Sequence, residues 1–259
     1  MQESIKKKLL EIEEKYNIDI LFAVELGSRV WGYALPDSDY DVRFVFRHRI
    51  REYLKISGYK EVIEIKEDKL DIVGYDVQKA LSMAYGTSVS ILEMCLSDIV
   101  YCETQWFAEF FKIVKQYSQP KRMLYHYIGM AGRKLYEAER KTMVNPKDYL
   151  LVCRTLLAGK MVAKGKMPLL SISDLMEEVA GDELFDKIEM LLGERCNGQM
   201  VPVDKELKDI IERELEELEK VADKMGFEKK DYAAIDEFFI KLMKGRIHEL
   251  LFARLSDEV

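Results

Sequence analysis

Of 259 residues only three are histidine and four are cysteine (Cys95, Cys102, Cys153 and Cys196), with no Cys-x-x-Cys pair. A zinc site or a disulfide framework needs closer, patterned spacing, so both are excluded, and the cysteines read as free, mostly buried thiols of a reducing compartment. Positive charge is also in short supply: 40 Lys and Arg against 47 Asp and Glu leave a formal net charge of −7. That excludes a protein coating nucleic acid through bulk charge, while leaving room for a local basic groove. Long apolar runs are missing too. No signal-peptide stretch follows Met1, and nothing approaches the ~20 residues that span a bilayer. The expectation is a cytoplasmic protein without a membrane segment.

What is present is an ordinary globular composition, 48% apolar and 34% charged, long enough for one large domain or two modest ones. Ile5, Leu9, Leu10 and Ile12 recur at helical spacing over residues 3–16. Ile18–Leu26 is a nearly continuous apolar run, the mark of a strand buried on both faces, and it ends at Gly27. Pro36-Asp37-Ser38 marks a loop before a second strand at 40–46. Residues 47–56 read as a basic, helical or irregular connection, and 62–66 and 69–75 as two further strands turning at Glu67-Asp68. Asp76 has N-cap character before a helix over Val77–Tyr85.

Beyond residue 105 the pattern changes to helical periodicity at 106–117, 124–140, 146–164, 173–179, 183–192, 205–225 and 231–254. The fold class expected is α+β: a small mixed-sheet catalytic domain over 1–105, then an all-helical domain over 106–259. Leu207, Ile210, Ile211, Leu215 and Leu218 make residues 205–225 either core or a dimer seam.

The segment with chemistry in it is 27–42, Gly-Ser-Arg-Val-Trp-Gly-Tyr-Ala-Leu-Pro-Asp-Ser-Asp-Tyr-Asp-Val. Glycine after a strand lets backbone N–H groups approach an oxyanion, and Ser28 adds a hydroxyl. Asp39 and Asp41, two apart on the next strand, point to one sheet face. Close carboxylates repel unless a cation sits between them, and Mg²⁺ accepts carboxylates together with phosphate oxygens. A phosphate cradle beside a metal platform is the equipment of nucleotidyl transfer.

This segment resembles the polymerase β nucleotidyltransferase signature, in which Gly-Ser precedes Asp-x-Asp by about ten residues. The resemblance implies Asp39 and Asp41 as metal ligands and catalytic residues, Gly27 and Ser28 on the nucleotide phosphates, and a third carboxylate on a later strand. Asp71, mid-strand in Leu70-Asp71-Ile72, is favoured for that place over Asp76. Further blocks are similar to the YcgL-type predicted nucleotidyltransferases, a group including the RNA-repair-pathway polymerase β family, RlaP. They are Gly74 to Leu81, Glu93 with Ser97 to Tyr101, His126-Tyr127 with Met130-Ala131, and Lys147-Asp148-Tyr149 with Arg154 to Leu157. The chain departs from them at Gln78 and Asp98.

The activity implied is transfer of a nucleoside monophosphate from an NTP, with Mg²⁺ or Mn²⁺, to an acceptor hydroxyl. The acceptor is an RNA end resembling that of tRNA, or else a protein or small molecule; a silent nucleotide-binding module is the third alternative. Arg29, Lys79 and Arg154 are added as candidate phosphate contacts, Lys79 being equally an exposed helical lysine and Arg154 equally a core ion-pair partner. His126 reads as a packed histidine. Tyr125 and Tyr127 suit either core or base stacking. Arg47, Arg49, Arg51 and Lys55 either guide a nucleic-acid backbone or form a solvated face.

Overall fold

A computed structural model describes the backbone of residues 1–256 and side chains through Lys244. The architecture is α+β, with one mixed five-stranded sheet and many helices. It divides into two compact units, each drawn from separate stretches of chain. One contains residues 1–25, 39–118 and 229–259; the other contains 26–38 and 119–228. The expected division cuts the chain once, near 105, whereas these units interleave.

In the first unit, α1 (Gln2–Tyr16) leads into β1 (Ile18–Leu26) through Asn17, whose left-handed backbone ends the helix. After a one-turn helix, α2 (Ser28–Trp31), come β2 (Tyr40–His48), the short α3 (Ile50–Tyr53), β3 (Val62–Glu67) and β4 (Leu70–Asp76). Then follow α4 (Val77–Tyr85), α5 (Val89–Leu96), β5 (Val100–Glu103) and α6 (Phe107–Tyr117). The sheet order is β3-β4-β2-β1-β5. β2 and β4 run parallel, β3 runs against β4, and β5 against β1. Asp19 meets Arg47 and Glu25 meets the backbone of Asp41, which makes β1 antiparallel to β2.

Period-2 alternation sends Val42, Phe44 and Phe46 of β2 and Ile72 of β4 into a core covered by Ile5, Leu9 and Ile12 of α1. A second apolar layer joins α4, α5 and α6, with Phe22 of β1 against the rings of Phe107 and Phe110. The chain returns to this unit at its end, where α12 (Ala233–Ser256) begins and buries Ile235, Phe238 and Leu242.

The second unit is helical. It consists of α7 (Pro120–Glu139), α8 (Pro146–Ala163), α9 (Ile172–Val179), α10 (Asp182–Cys196) and α11 (Lys205–Lys224). A two-residue ribbon, β6 (Met143–Val144) with β7 (Val201–Pro202), ties its loops. α8 is its axis, buried on nearly every side, as suits a helix apolar all round. Gly159 permits its close approach to α7, since a Cβ there would stand 3.4 Å from that of Tyr127. Leu207, Ile210, Ile211, Leu215 and Leu218 of α11 are buried within this unit, so that stripe is core. Cys95 and Cys153 are buried thiols, Cys102 is half-buried and Cys196 exposed, with no disulfide. No described helix is long and apolar enough to cross a membrane.

Candidate active site

Register builds the acidic group. On the parallel strands β2 and β4, Asp41 stands opposite Asp71. Their neighbours Val42 and Ile72 enter the α1-covered core, so alternation turns Asp41, Arg43 and Asp71 to the other face. The Arg43 guanidinium lies between the two acids: Nη2 is 3.4 Å from Asp41 Oδ1 and 3.3 Å from Asp71 Oδ2. Nη1 donates to the carbonyls of Val42 (3.0 Å) and Asp71 (2.8 Å). Asp41 and Asp71 remain 24% and 37% exposed, so solvent and ligand can reach them. Asp39 immediately precedes β2.

A buried acid supports this edge. Glu25, fully enclosed near the end of β1, accepts the Asp41 N–H at 2.8 Å and the Tyr101 hydroxyl from β5. Ser97 Oγ donates to the Glu25 carbonyl at 2.7 Å. Backbone at Asp41 is thereby fixed from two neighbouring strands. Glu25, Tyr101 and Arg43 are absent from the sequence-based candidates. A signal existed for each acid and base: Glu25 interrupts an apolar strand, and Arg43 continues the alternation of Asp39 and Asp41.

The Gly-Ser turn belongs to the helical unit. Gly27 has φ 70°, a conformation that a side chain resists. Its carbonyl accepts the Trp31 N–H, while that of Ser28 accepts from both Gly32 and Tyr33, making a tight turn with Ser28 buried. Arg29 donates to the Ser38 carbonyl at 2.5 Å, so it braces the loop that delivers Asp39. Arg154 is wholly enclosed in α8; its Nε donates to Leu170 and its guanidinium lies 4.8 Å from the Trp31 ring centre. The structure thus places Arg154 beneath the turn, in the interior of its unit.

Two sequence candidates stand elsewhere. Asp76 ends β4, five residues and about 16 Å of strand from Asp71. It caps α4 by accepting the Gln78 N–H at 2.9 Å and holds the Tyr53 hydroxyl at 2.6 Å, while burial pushes its carboxyl above the usual range. Lys79, on the first turn of α4, pairs with Glu61 at 3.3 Å. The structure does not bring Lys79 to the Asp71 end. The basic stretch is also engaged: Arg47 is buried against Asp19 and the Leu242 carbonyl, Arg49 pairs with Asp19, and Lys55 with Glu52. The nucleic-acid guide considered for that stretch has no free row of cations.

Among the described residues no three His, Cys, Asp or Glu side chains form a metal cluster, so Asp39, Asp41 and Asp71 are not gathered into one. The Arg43 guanidinium occupies the space between the last two and offsets one of their two negative charges. The donors still fit a hard divalent cation, because two carboxylates converge on a single cationic nitrogen and offer only oxygen.

A strand ending in Gly-Ser, followed by acids in register on a mixed sheet, defines the class: a nucleotidyltransferase of the polymerase β type. Residues 1–241 match RlaP, the RNA repair pathway DNA polymerase β family, and the chain belongs to that family. It is 36% identical over 238 residues to the uncharacterized protein YcgL of Bacillus subtilis (strain 168), covering 89% of this chain and 92% of YcgL. A solved structure with a slight likeness, at a TM-score of 0.34 and 11% identity, is a nucleotidyltransferase-like protein from Exiguobacterium sibiricum 255-15. That likeness covers 93% of this chain and 80% of the other.

Proposed function

We propose that this enzyme transfers a nucleoside monophosphate from an NTP to the hydroxyl of an RNA end. The observation that carries the reading is the pairing of Asp41 with Asp71 across parallel strands, both reaching one cationic nitrogen. Asp39, Asp41 and Asp71 would hold the divalent metal, Mg²⁺ or Mn²⁺. When bound, that metal supplies positive charge to the phosphate oxygens and the attacking oxygen. Gly27 and Ser28 contact the β- and γ-phosphates, with Arg29 keeping their turn and the following loop in place. The acceptor oxygen bonds to the α-phosphorus, the bond from that phosphorus to the bridging oxygen of the β-phosphate breaks, and pyrophosphate leaves. Asp71 takes the proton of the attacking hydroxyl. Lys79 and Arg154 have lesser parts in this reading: Lys79 sits at the far end of β4, and Arg154 supports Trp31 from inside the helical unit.

The test is transfer from labelled ATP, CTP, GTP and UTP onto mixed tRNA with Mg²⁺ or Mn²⁺, beside an Asp39→Ala/Asp41→Ala control. RNA labelling that vanishes in the control is the expected result. Labelling of protein or a small molecule instead would move the acceptor, and the net charge of −7 keeps that second reading in the experiment. No labelling from any NTP would sink the RNA-end reading, with a protein or small-molecule acceptor next and a silent nucleotide-binding module behind them.

A further inference from the structure

The helical unit carries a surface with no part in the chemistry above. α7 buries Met123, Leu124, Tyr127, Ile128, Ala131, Leu135 and Ala138 on one side. On its opposite side Arg122, Gly129 and Tyr136 recur every seventh residue, and Arg133 and Arg140 interleave at the same spacing. At 100° per residue all five fall within a narrow arc, with Tyr125 on its margin. All six positions are exposed, and the crest from Arg122 to Arg140 is about 27 Å long.

Charge along the crest runs against that of the chain. Between Pro120 and Tyr136 there is no acidic residue, and the first one, Glu137, is neutralised by Lys134 at 2.6 Å. The neighbouring α11 is strongly acidic, with Glu206, Asp209, Glu212, Glu214, Glu216 and Glu217 among its residues. A polyanion is therefore drawn to the crest of α7 and repelled from α11. Tyr125 and Tyr136 leave 42% and 60% of their surface to solvent. Tyr125 is anchored through its hydroxyl to Asp223, and Tyr136 lies beneath the Arg140 guanidinium. Rings held by one edge with a free face are what unstacked bases use. Gly129 adds access: a Cβ there would meet nothing within 4 Å, so the backbone of another chain can lie close to the helix. Arginines at 122, 133 and 140 along one crest, two partly exposed tyrosine rings and a low saddle suit a strand of RNA, with phosphates on the arginines and bases on the tyrosines.

We propose that α7 is an RNA-binding track, which deepens the RNA-acceptor reading above and rests on it for its function. The probe is a fluorescently labelled single-stranded RNA of about 16 nucleotides, titrated with the full chain at several salt concentrations. The expected wild-type behaviour is affinity falling with salt. In Arg122→Glu/Arg133→Glu/Arg140→Glu, affinity drops about tenfold or more and the salt slope is shallower by roughly one phosphate contact per arginine. Gly129→Glu removes no native contact, so it weakens binding without a folding defect. Lys220→Glu, on the exposed side of α11, leaves binding unchanged. A triple variant that stays folded and binds this RNA with wild-type affinity and slope would overturn the proposal, as would a wild type that does not bind it. Asp39→Ala/Asp41→Ala separates the two readings. Binding that survives in this variant while transfer onto RNA is absent even from wild type sinks the RNA-transfer reading and supports the track; transfer onto RNA with no dependence on α7 does the reverse.

Discussion

Arg43, Asp41 and Asp71 form one charge set, and what happens to any member depends on the other two. The guanidinium is 18% exposed and holds both carboxylates at 3.3–3.4 Å, so its loss leaves two acids in register without their cation. Partial exposure screens the repulsion, and the cost of Arg43→Ala is about 1 kcal/mol, a fall in Tm of about 2–4 °C for a chain of this size. The vacated space is also where a divalent cation would be most favoured, so metal should stabilise the variant more than wild type. Thermal unfolding in EDTA and in Mn²⁺ measures this: the wild-type-to-variant gap narrows with metal. An equal metal response in both proteins would show that Arg43 is not the counter-charge. The acids were legible because Asp-x-Asp spacing by itself assigns both side chains to one strand face. Asp71 was favoured as the third acid from its mid-strand place between Leu70 and Ile72, while Arg43 was passed over, because an arginine in a strand does not by itself state which charges it will face across the register of β4 on β2.

At the level of elements, one glycine shows how closely the sheet is fitted. Gly74 lies opposite Phe44 across the β2–β4 pairing, and a Cβ at Gly74 would overlap the Phe44 ring. The ring fills the space that a side chain would take, on the face where both belong to the α1 core. Gly74→Ala is expected to cost about 1–3 kcal/mol through overpacking. Phe44→Leu in the same chain should recover part of that, because the smaller side chain vacates the ring's place. The double-mutant cycle read by urea unfolding checks it: additive losses would show that the two residues do not share this space. The strands themselves were readable: 62–66 and 69–75 became β3 and β4 almost unchanged, and the helices after residue 105 fall where their periodicity places them. α5 was not assigned, because Val89–Leu96 is apolar on nearly every side and has no amphipathic period. β5 was missed because four residues leave too little alternation to register; its pairing with β1 defines it. Asp76 was read as a cap from its place before an apolar helix, and it accepts the expected backbone N–H.

For the molecule as a whole, chain order and compactness part ways. A change from strand texture to helix texture suggested a cut near residue 105, but texture reports local periodicity and cannot report where the chain returns. Residues 229–244 rejoin the first unit: Phe238 sits 6.3 Å from the Trp106 ring and 6.1 Å from that of Phe110, and Tyr85 stacks on Tyr232. Leu242 is fully buried, and its carbonyl receives Arg47 at 2.8 Å. Truncation after Glu228 therefore strips several buried side chains, each worth about 1.5–3 kcal/mol, and leaves the enclosed Arg47 short of an acceptor. The sum approaches the roughly 5–15 kcal/mol that holds an ordinary domain together. A chain of residues 1–228 should consequently lose its cooperative thermal transition and bind hydrophobic dye, and a fragment of residues 1–105, lacking α6 as well, should fare worse. Circular dichroism and dye binding on both fragments make the measurement. If 1–105 melted cooperatively on its own, the strands, α1, α4 and α5 would be sufficient, and the return of the chain at 229 would be an accessory. If neither fragment folds, the acidic strands depend on the C-terminal segment for their rigidity, and substitutions at Phe238 or Leu242 should lower transfer activity without touching the site.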